Sequence, residues 1–581
     1  MDAMKLTISK SKNSKSFYIS KSFINKDGKS TTKTIKKLGT LDSLSKMLNT
    51  DEAGVIAWCR EEVRKATEDE LKDNEKVLVS LSPSQYIEKN KSNSYNCGYL
   101  FLQSLYYGLR IDNICRNIGN HHKYEYDLNA ILSDLIYARI IDPCSKRASF
   151  ETAKSFLEPP KYQLHDIYRA LSVIANESDY IQAELYKNSN FVVERNSKVL
   201  YYDCTNFYFE IEQEEDSRMY GKSKENRPNP IIQMGLFMDG NGIPLSFNLF
   251  PGNQNEQPSL RKAEKALIED FSLSKFVVCT DGGLGSEDNR FFNHFADRAF
   301  IVTQSVKKLK KEEMEWALKD EGWKDLSTRK PIKLSDIDLN NPEILNHLYY
   351  KEEPYETKKV NNQRLIVTFS PKYAVYQKHI RDKQVERAKQ FIEKGKKTKG
   401  TSNPNDPKRF IDSISVTENG EVAAKTMNIL DTSKIENEAK FDGFFGIATD
   451  LLDDDVASII KISEGRWEIE ESFRIMKSEF DARPVFLSRD DRIKAHFLIC
   501  YMALLLYRIL EKKLDSKFTA PTIIKTLKEM NLTAIEAAGY VPSYTRTDCT
   551  DALHEIMGFR TDKQIIKKSV MRTIIKNTKQ K

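Results

Sequence analysis

From Lys198 to Gln304 the chain sets out its elements in an order that few folds accept. Lys198–Ile211 is rich in β-branched and aromatic residues and reads as a strand with Asp203 in its middle. Alternation puts Val199, Tyr201, Asp203, Thr205 and Phe207 on one face. A charge in such a row is costly unless it is paired or bound to a metal. Pro230–Met238, the turn Asp239-Gly-Asn-Gly242 and Ile243–Phe250 read as a hairpin. Residues 258–271 read as a helix, and Phe276–Asp281 as a short apolar strand ending in an acid ahead of Gly282-Gly283. A helix near 287–297 and a strand Ala299–Gln304 follow. An Asp at a strand's carboxyl end, before residues that let the backbone turn sharply, is a common place for a site in α/β sheets. Alone, each such Asp is more often a cap or turn former. The order of the elements carries more weight.

A third acid comes late in the chain. The stretch Gly465-Arg-Trp-Glu-Ile-Glu470-Glu-Ser-Phe-Arg474-Ile-Met-Lys477 has an R-(3)-E-(6)-K spacing. On a helix, Arg466, Glu470, Arg474 and Lys477 fall near one face, a carboxylate among three cations. A carboxylate suits a metal and flanking cations suit phosphates, the combination that cutting a nucleic-acid backbone requires. The bland alternative is a solvated helix with i,i+4 ion pairs.

Three acids in this order on strand, strand end and helix resemble the ribonuclease-H-like fold, in which three carboxylates meet at one edge of the sheet. Asp203-x-Thr205, Gly221-Lys222-Ser223-Lys224, Gly235-Leu-Phe, Gly242-x-Pro244-Leu, Phe250-x-Gly252-Asn253, Thr280-Asp281-Gly-Gly-Leu and the Arg466–Glu470–Lys477 block resemble the DDE transposases of bacterial insertion sequences. The subgroup is the insertion-sequence-four superfamily, with a Y-(2)-R-(3)-E-(6)-K block and a long β-rich insertion before the Glu. Arg483-Pro-Val-Phe-Leu and His496-Phe-Leu-Ile-Cys-Tyr are also similar to this group. One departure is Ser463, where the family carries a DNA-contacting Tyr.

The resemblance implies an enzyme that binds the terminal inverted repeats of its element, cleaves there, and transfers the freed 3′ ends to target DNA. Asp203, Asp281 and Glu470 are the expected catalytic and metal-holding residues, with two divalent ions about 4 Å apart. Hard carboxylate oxygens favour Mg2+, with Mn2+ as substitute. Arg466, Arg474, Lys477, Lys222, Lys224 and Asn289 are the expected DNA-side residues. A homodimer in a synaptic complex is expected because two ends must be joined. Related enzymes form a hairpin at the transposon end and stack an extruded base on an aromatic of the insertion. Trp316 and Trp323 lie there, although a core or surface role is commoner for a Trp. The alternatives are a transposase-derived DNA-binding protein without catalysis, or another ribonuclease-H-like nuclease.

Composition bounds the rest. The 581 residues, 40% hydrophobic and 30% charged, are enough for several domains with a full core. No apolar run reaches the ~18–20 residues that span a membrane, and the start lacks the apolar segment of a signal peptide. A cytoplasmic, nucleoid-associated bacterial protein is the expectation. Eight scattered cysteines show no zinc-type spacing. Net charge is only +7, but three segments are strongly basic. Residues 1–40 hold ten Lys against Asp2 and Asp27, residues 378–409 eleven Lys and Arg against four acids, and residues 560–581 eight against Asp562. Separated basic segments fit a chain that meets DNA at several places.

The expected architecture is α/β: a ribonuclease-H-like core interrupted by a β-rich insertion, with a helical N-terminal DNA-binding region and a helical basic C-terminal tail. The expected parts are a β element at 1–45, with Ser16–Ser20 and Thr31–Ile35 about a turn at Asn25–Gly28; a helical DNA-binding region at 46–195, with a helix-turn-helix-like reader among Asp127–Ile140, Ser149–Leu157 and Leu164–Ala175; core at 196–305 and 456–515; insertion at 306–455, with a polar linker at Lys394–Pro407; and the basic region at 516–581. Phe497–Leu510 reads as a buried helix behind the catalytic face.

Overall fold

The neighbours of the Asp203 strand define the largest sheet. The computed structural model describes all residues except 1–3, 12–13, 25–29, 74–76, 80–81, 85, 296, 395–402, 404, 415–426, 537 and 581. The expected turn at Asn25–Gly28 and most of the expected linker at Lys394–Pro407 therefore lie outside the described residues. Val199–Tyr208 pairs antiparallel with Ile231–Asp239, and that strand with Pro244–Pro251. On its other side Val199–Tyr208 runs parallel to Val277–Thr280, which runs parallel to Ala299–Gln304. The chain is thus mixed α/β.

The sheet does not stop at residue 305. Phe444–Thr449 pairs antiparallel with Ala299–Gln304, and Gln363–Phe369, Tyr349–Tyr355, Trp323–Asp325 and Pro331–Ile332 extend the same sheet to ten strands. Half of those strands come from the segment expected as an insertion. Trp323 is fully buried there, and its indole donates 2.9 Å to the Lys319 carbonyl. It is a core residue of this extension.

Alternation along Val199–Tyr208 explains its two faces. Leu200, Tyr202 and Cys204 join a core with Leu260 and Leu267 of the helix Gln257–Phe271. Val199, Tyr201 and Phe207 join the larger core on the opposite face, built around the helix Asp490–Lys513. That helix is apolar enough for a membrane span, with a mean hydropathy of 1.6, yet 94% of its apolar stretch is buried. It lies against Pro244–Pro251 and against the helices Tyr99–Gly108, Leu128–Ile141 and Leu164–Asn176. Phe207 meets Phe497 at 4.8 Å between ring centroids, and the Tyr501 hydroxyl donates 2.7 Å to the Leu245 carbonyl. Each buried Leu, Ile or Phe contributes about 1.5–3 kcal/mol, so a helix apolar all round is stable only when covered on every side.

This packing corrects one expectation. Leu128–Ile141, expected in a groove reader, is buried from Ile131 to Ile141 and has no free face for DNA. A helix covered on nearly every side, with even Asp134 and Arg139 buried, fits a core better than an amphipathic reader does. The C-terminal region is helical, with helices Ala520–Glu529, Asp548–Met557 and Lys568–Thr578, and it packs into the core. Leu553, Met557, Met571 and Ile574 are buried in the same core, and the strands Asn531–Ile535 and Gly539–Pro542 form a small sheet with Ser94–Asn96.

Residues 1–91, with 536–538, form a separate compact unit. Its three antiparallel strands, Lys5–Ser11, Ser14–Ile24 and Ser30–Thr40, adjoin helices Leu41–Leu48 and Glu52–Asp73 around Phe17, Leu44, Val55 and Cys59.

Candidate active site

Parallel register brings two of the three acids level. Tyr201 pairs with Cys279, so two residues further along Asp203 stands beside Asp281 at the end of the neighbouring strand. Asp281 then turns out of the sheet, and its Oδ1 accepts 3.0 Å from the Leu284 amide. Asp203 Oδ1 accepts 2.7 Å from the Cys204 amide. Burial pushes the Asp203 carboxyl up to about 6; Lys224 opposes this, the Asp281 charge adds to it, and the Cys204 amide and Arg466 also oppose it.

Glu470 joins through Arg466. Its helix, Trp467–Arg474, buries Ile469 and Phe473 and leaves the Glu470 side chain 59% exposed. Arg466 Nη2 lies 3.6 Å from Glu470 Oε1, and its charge also acts on Asp203. The approach is close because residue 465 is Gly: a Cβ there would stand 2.2 Å from the Tyr201 hydroxyl. From behind, Glu468 pairs with Arg508 of the long helix, whose Nε donates 3.0 Å to the Gly242 carbonyl in the hairpin turn. One buried guanidinium thus ties together the helix of Glu470, the hairpin and the core helix.

The four-residue stripe expected from α-helical periodicity is broken. After Arg474 the helix widens into a π turn over Ile475–Glu479. Arg474 points elsewhere, donating 2.8 Å and 2.5 Å to Glu471 and pairing with Glu479 at 3.7 Å. Lys477 stays on the acid side, 5.5 Å above the Phe207 ring and 3.4 Å from Glu225. Burial pushes its amine down to about 8; Lys224 adds to this and Asp203 opposes it.

Lys222 and Lys224 sit on a loop fastened to the Asp203 strand. Asn206 donates 3.2 Å to the Lys222 carbonyl and accepts 3.3 Å from the Lys224 amide. A Cβ on Gly221 would meet the Gly252 carbonyl at 1.9 Å, which accounts for glycine in that motif. The Lys224 ammonium bonds the Cys204 carbonyl and lies 3.3 Å from Glu256. Asn289 is 3% exposed, and its amide donates 3.0 Å and 2.7 Å to the Gln257 and Leu284 carbonyls. It braces the turn after Asp281 from inside and, being buried, has no surface to offer a ligand, contrary to the expectation for it. Ser463 is also buried.

Two residues of this neighbourhood had no role in the sequence reading. Glu225 accepts from Lys477 and pairs with Arg483, so a single carboxylate holds two cations beside the acids. Its only signal was its place next to Gly221–Lys224, while Arg483 lay in a motif without a role.

The chemistry of the donor set suits a hard divalent cation: one oxygen of each Asp is bonded to backbone, and the second oxygens and the exposed Glu470 carboxylate remain. The three carboxylates do not all lie within 4.8 Å of one another, so Glu470 would have to move in to share an ion. The cluster Asp551, His554 and Asp562 does not fit one. Arg560 reaches both carboxylates and Arg546 lies 2.7 Å from Asp551, so their charge is already met, while His554 Nε2 accepts 3.0 Å from the Thr561 amide.

Among curated proteins none matches the chain. A cryo-EM structure of the piggyBac transposase synaptic complex with hairpin DNA aligns over 83% of this chain and 84% of that one, at 9% identity and a TM-score of 0.34. That likeness is too low to carry an argument. Residues 195–506, more than half of the chain, match the family model of the transposase DDE domain. The span covers Asp203, Asp281 and Glu470, and the chain belongs to the DDE transposases, enzymes that cleave and join DNA strands.

Proposed function

We propose that this transposase binds the terminal inverted repeats of its own element, cuts there, and joins the freed 3′ ends to target DNA. The reading takes Val199–Tyr208, its hairpin and the two parallel strands as a ribonuclease-H-like core. The observation that carries it is Asp203: a half-buried carboxyl in an otherwise buried strand, beside a second acid and raised to about 6, with Glu470 paired to the Arg466 whose charge also acts on it. A carboxyl whose burial raises it in this way is one that a bound cation would stabilise in its ionised form.

In this reading Asp203, Asp281 and Glu470 would hold two Mg2+ ions, which when bound would supply activation of the nucleophile and charge stabilisation of the leaving oxygen. The protein's own part is positioning. Lys222 and Lys224 hold the backbone on the hairpin side, Arg466 and Lys477 on the helix side. Arg466 releases Glu470 as the charge it balances is taken over. Exposure of Glu470 lets it move without disturbing the sheet. Two copies are needed to hold two ends.

The test is magnesium-dependent cleavage of a labelled duplex carrying the element's terminal repeat, followed by transfer to a plasmid. Asp281→Ala should bind the duplex as wild type does and lose cleavage by at least about 10³-fold. Tight binding with no cutting by wild type, in magnesium or manganese, would favour the non-catalytic alternative.

A further inference from the structure

A cavity of about 520 Å³ lies away from the three acids, lined by Arg139, Ser145, Lys146, Tyr168, Arg483 and His496 among others. Lys146 is the anomaly. It is 4% exposed, and its ammonium makes no hydrogen bond. The neighbouring cation Arg139 is spent on backbone, donating 3.0 Å to the Phe480 carbonyl and 2.8 Å to that of Cys144. Asp481 is the one carboxylate among the described lining residues, and it is exposed. Lys146 also opens the helix Lys146–Ala153, whose cap Ser145 accepts 3.3 Å from the Ala148 amide, so the positive helix end adds to the field.

An unpaired ammonium in such a place is costly. Burial pushes the Lys146 amine down to about 7; Arg139 adds to this, and Cys500 and Cys144 oppose it. An apolar side chain would fill the space at lower cost, so a buried amine facing a polar cavity points to an anion. The cavity is joined to the Asp203 site by charged contacts. Arg483 on its wall pairs with Glu225, which also accepts from Lys477, and Lys477 feels the Asp203 charge.

We propose that this cavity binds a phosphate group, with Lys146 as the charge that receives it, and that the phosphate belongs to the DNA strand held at the Asp203 site. The second half rests on the DNA-cutting reading of that site. Tyr168 also lines the larger cavity next door, of about 1340 Å³, whose wall mixes Arg169, Arg489 and Arg492 with Asp134, Glu158 and Asp166, so the phosphate is assigned to the smaller cavity alone.

The test uses the full chain as wild type, Lys146→Met and Lys146→Gln. Affinity for a labelled duplex is read by anisotropy over a range of salt, and melting is read with and without inorganic phosphate. Loss of one phosphate contact should weaken DNA binding roughly fivefold and flatten the logarithmic salt slope by about one unit in both variants. Phosphate should raise the wild-type melting temperature and leave both variants unmoved. Without phosphate, Lys146→Met should melt no lower than wild type. Protection by free phosphate with unchanged DNA affinity and slope would overturn the DNA half and leave a small-anion site. No difference in either assay would overturn the proposal, as would a large fall in melting temperature for both variants, which would mark a structural amine. If wild type itself binds no DNA, the DNA-cutting reading fails with the second half, and phosphate protection decides the first half alone.

Discussion

At Asp203 desolvation and charge are in conflict. Its carboxyl keeps a proton to about pH 6, against an ordinary value of 3.8. Because the folded value is the raised one, the ionised group costs stability above pH 6, and the cost disappears as the pH falls toward 4. In a chelator, Asp203→Asn should therefore melt higher than wild type at pH 8, by about 1–2 kcal/mol, with no gain at pH 4. Adding Mn2+ at pH 8 should stabilise wild type and not the variant. Equal shifts at both pH values would mean that Asp203 carries no excess charge. Single residues were legible to different degrees. The three acids stood out because each sat in a recognisable local pattern. Lys146 did not, because a lysine in a polar stretch reads as surface, and only tertiary packing hides it.

At the scale of elements, the order of strands and helices from Val199 to Gln304 follows the local pattern closely, since alternation and Gly-rich turns are short-range signals. What periodicity misses is irregularity. The π turn at Ile475–Glu479 shifts Lys477 from the place an α-helix would give it, while Arg474, still on the α-helix, is drawn off by Glu471 and Glu479. The sequence stripe assumed an uninterrupted α-helix and so grouped both with Glu470. The helix of Glu470 is held close by Gly465, and this can be tested. Gly465→Ala drives a methyl group against the Tyr201 hydroxyl, pushing Glu470 away from the two Asp residues. Cleavage should fall about 10²-fold with DNA binding retained. Tyr201→Phe in the same chain should recover part of the loss, because the nearest clashing atom is gone. Unchanged cleavage by Gly465→Ala would mean that this approach does not position Glu470.

Across the whole molecule, the helix Asp490–Lys513 is the common wall between the sheet and the N-terminal helices. Its burial was legible as an apolar run. Which elements cover it was not, because long-range pairing leaves no periodic trace. For the same reason Leu128–Ile141 reads equally well as a DNA reader or as core, and the strands of residues 306–455 read as a separate insertion although they extend the sheet. The C-terminal basic segment is a further case: lysines on its exposed faces hide a buried row of Leu553, Met557, Met571 and Ile574. Removing residues 516–581 should therefore abolish cooperative melting and leave an aggregating protein, with several side chains each worth about 2 kcal/mol uncovered. A truncated chain that melts like wild type would mean that these helices add nothing to the core. The central claim, that Asp203, Asp281 and Glu470 form one metal site, is tested most directly by counting bound Mn2+ per chain by electron paramagnetic resonance, with DNA present. Wild type should hold two ions, and Asp203→Asn, Asp281→Asn and Glu470→Gln should each hold fewer. Two ions retained in any one of the three variants would remove that residue from the site.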